Sequence, residues 1–264
     1  MSLSINGDLL SRAGVVRRIC PVFFLLDCSG SMNGLEIGAV NTAIEDVLPV
    51  LADMNTTNSD TEIRVAILKF CGDKSDNSDV VEWVTGDDGL VNLNGYNWKY
   101  LDAYGITPMG KAFEKLNDAL SVKHGFMKRA SGSVAPVLFL LTDGRATDDA
   151  EAGLQQLQNN NWYKLAVRVA IGYGGKYDRD LLIKFTQNEE TVIETDDPTD
   201  LARMIKFVTI TSSMVASKGS SSTKTDEGMN NTDKAAEEIS SMLNGFGPET
   251  AASVSGACDP DEEW

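Results

Sequence analysis

Three oxygen-bearing side chains, Asp27, Ser29 and Ser31, stand at alternate positions directly after an apolar run, Ile19-Cys-Pro-Val-Phe-Phe-Leu-Leu. In extended or loosely turning backbone, alternate side chains project to the same side, so the three can converge on one point. A carboxylate and two hydroxyls are hard donors that suit a small hard cation, and magnesium typically keeps one or two carboxylates, some waters and a ligand oxygen. Nucleophilic chemistry is not indicated: the stretch is not Gly-x-Ser-x-Gly, and the only histidine is His124. Two further oxygen donors lie at comparable positions. Asp143 closes a second apolar run, Val-Leu-Phe-Leu-Leu-Thr-Asp-Gly, and Thr107 opens Thr-Pro-Met-Gly.

The elements that must carry these residues follow from patterning. Short apolar runs rich in β-branched and aromatic residues, each stopped by an aspartate, read as strands buried on both faces. Residues 33–53 carry Val40, Ala43, Ile44, Val47, Leu48 and Leu51 at helical spacing, followed by strands at 61–70 and 80–84. Threonine is a good N-cap and proline is tolerated at the first helical position, so a helix is expected after Thr107. The pattern continues as a strand at 134–143, a helix from about Asp148 with Glu151 as in a capping box, and a strand at 163–172. A helix at 178–187, a strand at 191–195 and a helix carrying Leu201, Met204, Ile205 and Val208 complete it. Strands alternating with helices predict an α/β sandwich with a mostly parallel sheet and right-handed crossovers. In such a sheet ligands gather outside the carboxyl ends of the strands. Asp27 and Asp143, side by side there, would raise each other's pKa unless a cation or strong donors lay between them.

Asp27-x-Ser29-x-Ser31, Thr107 in Gly-x-Thr-Pro-Met-Gly and Asp143 in Thr-Asp-Gly, in that order, resemble the metal-ion-dependent adhesion site of the von Willebrand factor A domain. The likeness covers roughly residues 16–211. It implies a three-layer sandwich: a six-stranded sheet of order 3-2-1-4-5-6 with one antiparallel edge strand, placed at 80–84, and helices on both faces. By the same resemblance Ser29, Ser31 and Thr107 contact magnesium directly, with manganese as a substitute, and Asp27 and Asp143 hold it directly or through water. One coordination position is left for an acidic residue of a partner protein, which makes the domain a non-enzymatic interaction module. Gly-Ile-Thr-Pro-Met-Gly and the aromatic cluster before it are most similar to bacterial tellurium-resistance proteins of the TerY type. That likeness implies a cytoplasmic stress-response role beside a protein kinase or phosphatase.

The totals set the remaining bounds. A chain of 264 residues, 42% hydrophobic, can bury one large core and leave an appendage. The expected division is a lead at 1–15, the domain at 16–211 and an acidic tail at 212–264. That tail holds ten acidic and three basic residues, a net charge of 3 − 10 = −7 out of −16. It reads as flexible, with one helical face at 233–244. So acidic a chain repels phosphate backbones, and no nucleic acid partner is expected. No run approaches the roughly 20 apolar residues that span a bilayer. Proline within the apolar run and Asp27 before Cys28 argue against an export signal at Arg17 and Arg18. Cys20, Cys28, Cys71 and Cys258 lack Cys-x-x-Cys spacing. Zinc is therefore not expected, and free thiols near strands suit a reducing, cytoplasmic monomer.

Plainer roles compete with some of these readings. Ser29 and Ser31 could cap the helix that begins near Asn33, and Thr107 could cap its own. Tyr96, Trp98, Tyr100 and Tyr104 are either packing residues or a rim at the metal face, and Arg145 either an ion-pair partner or a contact for an acidic ligand. The rival from another class is a magnesium-dependent aspartyl-phosphate hydrolase with Asp27 as nucleophile and Asp143 plus Asp148 on the metal. That chemistry calls for a second aspartate as general acid two residues on, where this chain has Ser29.

Overall fold

The computed structural model describes residues 17–218, apart from 77, 87, 88 and 130, together with residues 233, 237 and 241. Its centre is strand β1 (Arg18–Asp27), in which every residue from Cys20 onward is buried. Alternation sends Cys20, Val22, Phe24 and Leu26 to one face and Phe23 and Leu25 to the other, and each set enters a separate core. Each such Phe or Leu contributes roughly 1.5–3 kcal/mol by leaving water. From Cys20 on, no polar side chain enters this strand until the chain leaves the sheet at Asp27.

Strand β2 (Thr61–Gly72) flanks β1, and β3 (Asp79–Trp83) and β4 (Val91–Asn92) both run antiparallel along its outer edge. On the other side lie β5 (Val137–Thr142), β6 (Val167–Tyr173) and β7 (Val192–Thr195), all parallel. The order is β3-β2-β1-β5-β6-β7, as expected, with β4 as an additional two-residue piece of the same edge. Helices α1 (Leu35–Thr57) and α6 (Pro198–Lys218) cover one face. The other is covered by α2 (Met109–Ala119), α3 (Ala150–Gln158) and α5 (Arg179–Thr186). The three-layer sandwich is therefore present.

Three local expectations are corrected. The strand predicted from residue 163 begins at Val167, because a one-turn helix, α4 (Asn161–Leu165), precedes it; the Asn160 side chain caps that turn by accepting from the Trp162 amide. The helix after Thr107 starts at Met109 with Pro108 at its cap, and Thr107 makes no capping hydrogen bond. The last helix does not stop at the expected boundary of 211: α6 runs to Lys218, and Ser212 and Ser213 are fully buried. The rest of the tail, including most of the predicted 233–244 helix, lies outside the described residues; Asp233, Glu237 and Ser241 are themselves helical.

Candidate metal centre

β1 and β5 are paired in parallel register, Leu26 opposite Leu141, so Asp27 and Thr142 emerge together at the carboxyl edge with Asp143 one residue on. Beyond Asp27 the chain turns through a 3-10 segment (Gly30–Met32) and reaches α1 by way of Gly34, whose φ of +113° no L side chain adopts easily. Neither serine caps a helix: the 3-10 turn and α1 both start without a side-chain cap. Their hydroxyls face the site instead. Ser29 Oγ and Ser31 Oγ lie 3.1 Å apart, and Ser31 Oγ donates to Asp143 Oδ1 at 2.7 Å.

Thr107 is brought in by a second loop laced to the first. The Tyr104 amide donates to the Cys28 carbonyl at 2.8 Å and the Gly30 amide to the Gly105 carbonyl at 3.0 Å. Gly105 makes the bend at φ +74°. Thr107 is then tied to the segment after β5: its amide donates to Thr147 Oγ1 at 3.2 Å, and the Thr147 amide donates to its carbonyl at 2.9 Å. A methyl group placed on Gly144 would sit 3.6 Å from Thr107 Oγ1 and 3.7 Å from Ser31 Oγ. Ser29, Ser31, Thr107 and Asp143 thus ring one small space, which Gly144 leaves open.

Asp27 lies just beneath, fully buried. Its Oδ1 accepts from the Ser29 amide at 2.8 Å and its Oδ2 from Thr142 Oγ1 at 2.5 Å. Burial pushes its carboxyl up to about 6, against the pull of the Thr142 and Ser29 hydrogen bonds; repulsion from Asp143 adds least. Burial also raises Asp143, opposed by the Ser31 hydrogen bond, while Glu36 repels its charge and Lys176 favours it. The cost anticipated from mutual repulsion is therefore mainly one of desolvation.

These residues fit a hard cation. All the converging atoms are oxygens, and metal–oxygen bonds of 2.0–2.1 Å put neighbouring octahedral ligands roughly 2.9 Å apart. The spacings of 3.1 and 2.7 Å bracket that value. Among the described residues no cluster of three or more His, Cys, Asp or Glu side chains offers another metal position.

Two functional residues, Thr142 and Thr147, were missed in the sequence, and Asp148 was given other roles than the one it has. Thr142, adjacent to Asp143, holds Asp27. Thr147 and Asp148 fix the Thr107 loop and α2: the Asp148 carboxylate accepts from the Gly110 and Lys111 amides at 2.8 and 2.9 Å. Asp148 therefore caps α2, while α3 is capped by Asp149, which accepts from the Ala152 amide. With both oxygens so engaged, Asp148 is not placed as the hydrolase reading requires. Of the four aromatics only Tyr104 reaches the site's loops. Tyr96 and Trp98 face α1, lining a groove with Glu45 and Pro49, and exposed Tyr100 donates to Glu45. Arg145 is exposed and belongs to none of the ion pairs among the described residues.

The sequence profile of the von Willebrand factor type A domain matches residues 22–207, most of the chain and all five site residues. This chain belongs to that family. Such von Willebrand factor A (VWA) domains are protein-interaction modules. Comparison with curated protein sequences found no match. Among solved structures, the VWA chain is similar to proximal thread matrix protein 1 of the mussel byssus with a zinc-occupied MIDAS motif. That match has a TM-score of 0.55 and 13% identity over 72% of this chain and 47% of that one. The pilus adhesin SpaC of Lactobacillus rhamnosus GG gives 0.55 and 12%, over 76% and 30%. The von Willebrand factor type A protein from Catenulispora acidiphila gives 0.50 and 19%, over 75% and 43%. The VWA chain spans less than half the length of each of these proteins, and at such identities the likeness is one of fold. No helix among the described residues is long and apolar enough to cross a membrane.

Proposed function

We propose that this VWA domain binds Mg2+, with Mn2+ as a substitute, through Asp27, Ser29, Ser31, Thr107 and Asp143, and engages an acidic residue of a partner protein there. The observation that carries the reading is the meeting of Ser29, Ser31 and Asp143 oxygens, from segments far apart in sequence, at 3.1 and 2.7 Å. The zinc-occupied MIDAS of the mussel protein supports a divalent ion in the same fold. When bound, the ion supplies positive charge that offsets the desolvated Asp27 and attracts a carboxylate. The chain's own part is to orient three hydroxyls: Gly34 and Gly105 set the loops, Thr147 pins Thr107, and Thr142 fixes Asp27. Exposed Arg145 and nearby Lys176 add cationic charge at the rim, which favours an acidic partner.

The setting we favour is a bacterial cytoplasmic tellurite or stress response, with the partner a kinase or phosphatase of the same system. It rests on Gly-Ile-Thr-Pro-Met-Gly at 105–110 and on Cys28 and Cys71, which are buried free thiols that suit a reducing compartment. Affinity capture from the native cell, in magnesium and in EDTA, tests the reading. A partner should be held in magnesium and lost both in EDTA and with a Thr107→Ala bait. The same set of proteins in all three captures would refute it.

A further inference from the structure

Arg168, the second residue of β6, is only 2% exposed. It pairs in register with Leu138 of β5, five residues before Asp143, so it lies roughly 17 Å back along the sheet from the metal centre. Its Nε donates to the Thr186 carbonyl at 2.9 Å and its Nη1 to the Tyr163 carbonyl at 2.7 Å, with the Tyr163 ring 4.9 Å away. A guanidinium has five N–H donors and one charge that cannot be shed. Two carbonyls and an aromatic face satisfy part of that set, and among the described residues no carboxylate forms an ion pair with the charge, which makes its burial expensive. Burial accordingly bears down on the charged form, while Tyr163 and Asp233 favour it.

Among the described residues Asp233 is the acid whose charge favours the guanidinium, from beyond ion-pair distance. Its carboxylate accepts from Asn188 Nδ2 at 3.1 Å. Asn188 is itself held in place: its Oδ1 caps the 3-10 turn Glu189–Thr191, and its amide and carbonyl bond Thr186 Oγ1. Thr186 also supplies the carbonyl that receives Arg168. One short segment after α5 therefore orients both the guanidinium and the amide donor.

We propose that Asn188, held beside the buried Arg168, forms a carboxylate-binding site at the base of the sheet, distinct from the metal centre, and that its resident ligand is Asp233 of this chain's own C-terminal segment. The acidic segment after α6 is thereby tied back to the domain through one aspartate.

Thermal melting of the full chain tests this with Asp233→Ala, Asn188→Ala, the double variant and Glu237→Ala, the last changing an exposed acid one helical turn on. Asp233→Ala should lower Tm by about 2–4 °C, as losing one charge-assisted hydrogen bond in a domain of this size would. The double variant should lose less than the sum of the two single losses, falling below Asp233→Ala only by the cost of the 3-10 cap that Asn188 also supplies, because the Asn188–Asp233 contact can be lost only once. Glu237→Ala should melt like the parent chain. An unchanged Tm for Asp233→Ala, simple addition of the two losses, or an equal loss in Glu237→Ala would each overturn the proposal.

Discussion

Ser31 donates a hydrogen bond to Asp143 at 2.7 Å, across 112 residues of sequence. The bond joins the loop after β1 to the end of β5 and brings a hydroxyl and a carboxylate to the distance expected of two ligands on one small cation. A plain helix cap would have turned the Ser31 hydroxyl toward backbone amides. The energetic weight of the site lies one layer deeper, in Asp27.

Without metal, Asp27 makes the domain less stable as pH rises. Its folded value of about 6 exceeds the usual 3.8, so the folded state binds more protons between the two, and stability present below about 4 is lost as pH climbs through 6. About two pKa units correspond to about 3 kcal/mol. Denaturant melts of the metal-free chain at pH 5 and 8 should show this loss, and Asp27→Asn, which removes the charge, should abolish most of it. Magnesium should restore stability more at pH 8 than at pH 5, because protonated Asp27 competes with the ion. Parallel pH profiles for the parent chain and Asp27→Asn would contradict the argument.

Asp148→Ala should cost about 1–2 kcal/mol, the loss of a helix cap, since both its oxygens serve the first amides of α2. It should also weaken magnesium binding severalfold, because Thr107 precedes that helix start. Equilibrium unfolding and a metal titration of the same variant check the two effects together. An unchanged unfolding midpoint would remove Asp148 from the account.

α2 and α3 touch through two glycines. A methyl group on Gly153 would lie 2.5 Å from the Gly110 carbonyl oxygen, and one on Gly110 would lie 2.6 Å from that of Asp149. Gly153→Ala must therefore separate the helices, at about 1–3 kcal/mol by the usual cost of overpacking. A lowered Tm is expected, whereas Gly38→Ala, where nothing lies within 4 Å, should be neutral or slightly stabilising. Equal melting of the two variants would be inconsistent with this packing.

A chain ended at Thr211 should melt several degrees below one ended at Lys218. The difference arises because the last seven residues of α6 include fully buried Ser212 and Ser213 on the helix that packs against α1. Identical Tm values would mean that this part of α6 adds nothing to the domain.

Much of this architecture was legible in the residues. Val22 to Leu26 and Val137 to Leu141 are apolar enough to be central strands, and an aspartate ending each announces the edge where Asp27 and Asp143 meet. What escaped was set by tertiary contact. Asp148 looks like the cap of the helix that follows it, and only the folded chain shows that it caps α2, 38 residues earlier. Thr142 reads as one more strand residue until its hydroxyl is seen on Asp27. The serines at 212 and 213 look like the start of a polar tail because hydroxyl-rich sequence is ordinarily exposed. The aromatics from Tyr96 to Tyr104 precede Thr107 in sequence, yet the chain spends that length running past α1.

The most direct test is calorimetric titration of Mg2+ into the purified chain and into Ser31→Ala and Thr107→Ala at pH 8, with circular dichroism to confirm that all three are folded. One ion per chain should bind the parent, and both variants should bind at least tenfold more weakly while melting normally without metal. Equal affinity in all three, or no heat of binding in the parent chain, would contradict the claim that these side chains hold a metal.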